Sequence, residues 1–189
     1  MAHPHWSLFK VIDEDLQAFS REVEFADANF STYSVTLLRL YLSICSEVDV
    51  IAKLLCQREQ LSLPSENMDG YRKALVPRFP NLSTLTITIR PMARPVLPWD
   101  TWNQNQNPDR WRKHQLVKHH RDQYFADANL KNVLYAAAGL LVFLTYWHQP
   151  ELWKLEVNST FHVFEIEGII GSLNWIGNYE LKDFGKRPI

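Results

Sequence analysis

The sequence predicts a mainly α-helical single domain, an up-and-down bundle with a small β element. Three observations lead there. Residues 31–58 and 128–147 are both long and apolar at the three-and-four spacing of core helices. The run 82–90 alternates Leu85, Ile87 and Ile89 with Thr84, Thr86 and Thr88, the pattern of a half-buried strand. The length of 189 residues suits one domain, and 46% hydrophobic against 22% charged residues excludes a disordered chain. A formal net charge of −1 excludes a globally basic nucleic-acid binder while leaving room for a local basic patch. Seven tryptophans point to a well-packed core or an aromatic-lined site.

The elements follow in chain order. Residues 1–30 read as a short amphipathic lead-in whose Asp13, Glu14, Asp15, Glu22 and Glu24 form a solvated acidic face. The first ten residues lack a basic-then-apolar pattern, so no secretory signal is expected. Ser31 or Thr32 can cap the helix 31–58. Cys45 and Cys56 lie eleven positions apart on that helix, about 16 Å at the usual rise, too far to bridge within it. They read as reduced core thiols, which fits a cytoplasmic protein. A shorter helix spans 66–75, bounded by Pro64 before it and by Pro77 and Pro80 after it.

Pro91, Pro95 and Pro98 make a stiff loop, and the Asn/Gln-rich 103–107 reads as a flexible surface loop. Asp109 can cap a basic helix, and the helix 128–147 follows, ended by Pro150. Residues 133–147 are almost wholly apolar but number fifteen. A membrane span needs about 20, so this is expected to be a buried helix, with no membrane partner. It should pack on 31–58, and Gly139 with Ala136 to Ala138 would let the two helices approach closely. A C-terminal hairpin is expected over 152–166 around Asn158-Ser159-Thr160, with 168–189 irregular. The motif Phe25-Ala26-Asp27-Ala28-Asn29 recurs as Phe125-Ala126-Asp127-Ala128-Asn129, each before a long helix, and is read as shared helix-start chemistry.

The chemistry is concentrated between Trp111 and Asp122, which holds three of the seven histidines and four cations. On one regular helix, Trp111, Gln115, His119 and Asp122 share a stripe, flanked by His114, Lys118 and Arg121, while His120 faces away near Arg112 and Lys113. An imidazole, an amide, cations and a carboxylate that orients His119 could bind a phosphate and move a proton without a metal. The bland alternative is a solvated basic face or a protein interface. No third ligand accompanies His119 and Asp122, so neither a metal nor another cofactor is expected. Glu47 lies in an apolar stripe with Leu40, Ile44, Ile51 and Leu54. A carboxylate there needs a partner, and Lys118 or Arg121 is expected to supply it. Asp49 and Lys53 should form only a surface pair.

The pattern Trp-x-x-His-Gln-x-x-Lys-His-x-Arg from Trp111 to Arg121, then Phe125-x-x-Ala128-x-Leu130 and an apolar helix, resembles one found in bacterial proteins of the HEPN superfamily (higher eukaryotes and prokaryotes nucleotide-binding). Its usual form is Trp-x-x-Tyr-Asn-x-x-Lys-His-x-Arg, and Ser46-Glu47 with Lys53 on the earlier helix also fits. The resemblance covers about residues 30–148. It implies a helical bundle and, in many members, a metal-independent ribonuclease of toxin–antitoxin or anti-phage systems. The site in such members is an Arg, a polar residue and a His, often shared across a homodimer. Carried over, the His is His119 and the polar residue Gln115, while the Arg falls at His114, a departure that Arg112, Lys118 or Arg121 would have to cover. Two functions follow from the resemblance: a ribonuclease using His119, Lys118, Arg121, Gln115 and His114, or a non-catalytic module that binds RNA, a nucleotide or a protein through the same patch, with Trp111, Arg112, Glu47 and Asp122 as binding residues. A structural module whose basic helix only forms an interface is the third reading.

Overall fold

The computed structural model describes residues 4–148 and 161–166. Among them the chain forms six α-helices and a three-stranded antiparallel sheet: α1 (Pro4–Phe19), α2 (Val35–Arg58), α3 (Met68–Arg78), β1 (Ile87–Ile89), β2 (Arg94–Val96), α4 (Asp109–His119), α5 (Arg121–Tyr124), α6 (Leu130–Trp147) and β3 (Phe164–Ile166). The mainly helical fold class with a small β element is as the sequence predicts.

The centre is the packing of α6 on α2. Ser34, rather than Ser31 or Thr32, caps α2, its Oγ accepting from the Leu37 amide at 3.1 Å. Asn129 caps α6 in the same way, accepting from the Asn132 amide at 3.1 Å. All but three residues of α6 are buried. At about 1.5–3 kcal/mol for each large side chain, this helix and its partners dominate the apolar stabilisation. α6 is long and apolar enough to cross a membrane, but 83% of it is buried inside the fold. Its last turn has no cation of its own. Arg58, at the end of α2, supplies one and donates to the Trp147 carbonyl at 2.8 Å and the Tyr146 carbonyl at 3.2 Å. Cys45 and Cys56 are free and buried.

Gly139 does not serve the α2–α6 contact. A Cβ there would meet Arg110 Nη2 at 3.2 Å and the Trp99 ring at 3.2 Å. Trp99 stacks on Phe143 with ring centroids 4.6 Å apart and donates its indole N–H to the Gly139 carbonyl at 3.0 Å. The small residue therefore admits an indole, which its flanking alanines alone could not reveal.

The N-terminal segment also departs from expectation. α1 is a core helix that buries Trp6, Phe9, Ile12, Leu16 and Phe19. Asp13 is not part of a solvated face. It is 1% exposed and accepts from the backbone amides of His162 at 2.6 Å and Val163 at 2.9 Å. Burial still raises its pKa, against the lowering by these amides. Asp13 thereby ties α1 to the strand β3.

In the sheet, β1 is central, with β2 and β3 on either side: Ile87 faces Val96 in one ladder and Ile166 in the other. Pro95, expected in a loop, lies in the edge strand β2 opposite Thr88, where a missing N–H can point outward. The second arm of the expected C-terminal hairpin becomes β3 and pairs with β1. The first arm, 152–157, the turn at 158–160, Pro150 and the tail 168–189 lie outside the described residues.

α3 is capped by Asn67, whose Oδ1 accepts from Gly70 N at 3.0 Å, and it runs through Pro77 to Arg78. The Asn/Gln-rich segment is tied down. Arg72 on α3 donates to Asn107 Oδ1 at 2.6 Å and Asn105 Oδ1 at 3.2 Å, and Ser83 donates to Asn103 at 2.6 Å. Asparagine side chains here hold a loop against a helix rather than solvate it. The segment after the first copy meets the end of the second: Tyr33 bridges Asn129, and Leu130 N donates to the Thr32 carbonyl at 2.9 Å. Only the second copy caps its helix directly.

Candidate functional site

The basic segment forms α4, and its position follows from a few contacts. Pro108 precedes the helix, and Asp109 is its first residue rather than its cap. Asp109 pairs instead with Arg112 at 2.9 Å and Lys113 at 3.2 Å, the i+3 and i+4 positions. These cations hold its carboxyl below its usual range despite some burial. Val117 and His114 face the interior, and the Tyr41 hydroxyl donates to the Arg110 carbonyl, fixing α4 against α2.

α4 ends at His119. His120 adopts φ −136° and ψ 52°, outside the helical region, and the short α5 starts at Arg121. This break takes Asp122 off the expected stripe, while Trp111, Gln115 and His119 stay together on α4. His119, His120 and Asp122 are exposed and lie outside the cleft described below. Arg112 is also outside it, occupied with Asp109.

The remaining residues do converge. Trp111, His114, Gln115 and Lys118 from α4 and Arg121 from α5 form one wall of a cleft of about 330 Å³. The opposite wall is the α2 stripe of Leu42, Cys45, Ser46 and Asp49. Two cations and one carboxylate leave this cleft one positive charge in excess. Trp111 is half-buried, with a face near the His114 ring at 5.3 Å between centroids. Gln115 Nε2 lies 3.4 Å from His114 Nδ1.

His114 occupies the floor of the cleft. Only 4% exposed, it packs edge-on against Tyr41 at 5.7 Å. Burial, helped by Lys118 and His119, pushes its pKa down to about 4. The imidazole is thus neutral at neutral pH and supplies no positive charge where the resembled pattern has an Arg. Burial also pushes the Cys45 thiol and the Tyr41 phenol far up, which removes both as nucleophiles.

Two acidic residues exchange their expected roles. Glu47 does not reach Lys118 or Arg121. It faces α1 and pairs with His5 Nδ1 at 2.5 Å, half-buried at the α1–α2 contact. The expected stripe placed Glu47 correctly at an apolar border, but α1, read as a solvated lead-in, supplied the partner. Asp49 is the acid of the cleft. Lys53, its expected partner, bonds to Glu66 at 2.7 Å. Burial raises the Asp49 pKa, opposed first by Lys118 and then by Lys53. A signal for Asp49 was present: Leu42, Cys45, Ser46 and Asp49 stand at i, i+3, i+4 and i+7, a stripe that grows polar toward one end.

Among the described residues, no three His, Cys, Asp or Glu side chains gather as a metal would need. Comparison of the chain with protein-family models, curated protein sequences and solved structures finds no match.

Proposed function

We propose that this protein is a HEPN-like module that binds RNA or a nucleotide, gripping a phosphodiester in the cleft between α2 and α4. The observation that carries this reading is the convergence of Lys118, Arg121 and Gln115 on one cleft edged by Trp111. A phosphodiester carries one negative charge, which matches the excess of Lys118 and Arg121 over Asp49. The lysine and the guanidinium neutralise it, the amide donates to an oxygen, and the half-buried indole offers a stacking face worth about 1–3 kcal/mol per base.

Binding is favoured over cleavage by the histidines. Cleavage by attack of a ribose 2′-hydroxyl needs a group that takes and returns a proton near neutral pH. His114 lines the cleft, but its pKa of about 4 makes it a weak base. His119 is exposed beyond the cleft, out of reach of a phosphate held there. A ribonuclease would have to bring His119 inward on binding.

The test is anisotropy of a labelled single-stranded RNA, titrated at several salt concentrations. Each phosphate contact on a single strand contributes about 0.7 to the slope of log affinity against log salt. Changing Lys118 and Arg121 together to Ala should weaken binding and flatten the slope by about 1.4. Asp49→Asn should tighten binding, because it removes the carboxylate that competes for Lys118. Cleavage of the RNA that persists with chelator and disappears in His119→Ala would establish the ribonuclease. Absence of binding at low salt would leave only the interface reading.

A further inference from the structure

A second cleft lies on the other flank of α4, between that helix and the start of α6. It measures about 340 Å³, and its walls include Arg110, Lys113, Lys131, Asn132, Phe30 and Tyr135. The charges in it are unequal in their freedom. Lys113 is neutralised, lying 3.2 Å from Asp109 and 3.7 Å from Asp127. Arg110 donates to the Pro98 carbonyl and stands 4.9 Å over the Trp99 ring, and it makes no ion pair with a carboxylate among the described residues. Lys131 likewise has no carboxylate partner there, and its ammonium stands 5.9 Å from the ring centres of both Phe30 and Tyr135. Two cations without a carboxylate partner among the described residues therefore line one largely apolar, aromatic-walled cavity.

The backbone of α6 does not create this site. Leu130 N and Lys131 N donate to the Thr32 and Phe30 carbonyls, and Asn132 N donates to the Asn129 cap. The first-turn amides are thus taken, and the side chains of Arg110 and Lys131 carry the attraction.

We infer that this cleft is a second anion site, which takes a phosphate monoester of the kind at the end of a nucleotide. The match is one of charge and shape. A phosphate monoester carries about −1.5 to −2 at neutral pH, against the single charge of an internucleotide phosphodiester. Arg110 and Lys131 supply two positive charges, where the α2–α4 cleft supplies one in excess. A guanidinium binds two phosphate oxygens side by side, and an ammonium at the rim closes on a third. Burial lowers the Arg110 pKa to about 10, so the guanidinium stays charged, and the cost of that burial falls when an anion joins it. The inference does not depend on the function proposed for the first cleft, because the two share no residue.

The phosphate could belong to a free nucleotide or to the end of an RNA strand, and one set of titrations separates them. Calorimetry with 5′-AMP at low salt should give a binding event at this cleft. Lys131 is exposed, so Lys131→Gln keeps the fold and should weaken that event at least about tenfold, which is about 1.4 kcal/mol. The Lys118→Ala, Arg121→Ala double variant, which disables the first cleft, should leave that event in place. If the natural source is a strand end, a 5′-phosphorylated RNA oligomer should bind more tightly than its 5′-hydroxyl twin, and Lys131→Gln should erase the difference. If the source is a free nucleotide, the two oligomers should bind alike while AMP still binds. The inference is overturned if neither AMP nor a 5′-phosphate is bound in preference, if Lys131→Gln changes nothing, or if AMP binding vanishes in the double variant.

Discussion

His114 makes an experiment on protonation possible. The folded protein holds this imidazole at a pKa of about 4, against 6.5 in an unfolded chain, chiefly because it is desolvated. Between those values the unfolded state binds the proton and the folded state does not. Stability from this group is therefore complete above pH 6.5 and lost as the pH falls toward 4. The separation is about 2.5 pH units, and at about 1.4 kcal/mol per unit it corresponds to a loss of about 3 kcal/mol. Other groups act in the opposite sense. Burial raises the carboxyls of Asp13 and Asp49, so the folded state takes protons there before the unfolded one. The informative quantity is the difference between wild type and His114→Gln, which cancels those contributions. Urea unfolding measured from pH 4.5 to 7.5 should give two curves of stability against pH. The wild-type curve should fall more steeply toward acid, and the gap between the curves should change by about 2–3 kcal/mol. Parallel curves would refute the reasoning, because they would mean that His114 is protonated as easily folded as unfolded.

Two further predictions concern the core. Gly139→Leu should force apart Trp99 and Arg110, lowering stability by about 1–3 kcal/mol in urea unfolding. An unchanged midpoint would mean that the indole is not seated on Gly139. Asp13→Ala should strand the His162 and Val163 amides and cost about 2–6 kcal/mol, at about 1–3 kcal/mol for each unsatisfied donor. Asp13→Asn, which keeps one acceptor oxygen, should cost less, and equal losses in the two variants would show that the amides are not what Asp13 supports.

The long helices were legible because their periodicity reports burial directly, and Leu85, Ile87 and Ile89 announced a strand through alternation. The site was half legible. Trp111, Gln115, Lys118 and Arg121 were found from spacing, and they share the cleft. Asp122 leaves the expected stripe because the helix ends at His119, and no Gly or Pro marks that stop, while His119 itself is still on α4 but exposed outside the cleft. The failures over Asp13 and Glu47 have one cause. Each is a carboxylate in an acidic-looking stretch or at an apolar border, and its partner lies far along the chain: a backbone amide near residue 162 for Asp13, and His5 for Glu47. Sequence spacing carries information about neighbours on one helix. It carries none about which amide from another element will occupy a carboxylate.

The bond between Asp13 and the amide of His162 joins positions 149 apart. During synthesis at about 5–20 residues per second, α1 would wait about 7–30 seconds for this partner. Until then Phe9, which meets Phe161 and Phe164 edge-on or tilted at 5.0 and 5.9 Å, has no aromatic cover on that side. The same interval leaves β1 with only the nearby β2 to pair with. Closure of the fold is thus a late, long-range event on a helical scaffold whose α2–α6 core can assemble earlier, and non-local closures of this kind are slow. A nascent chain halted before residue 161 would leave the Phe9 side of α1 uncovered, a natural docking point for a chaperone that recognises unfinished hydrophobic surfaces.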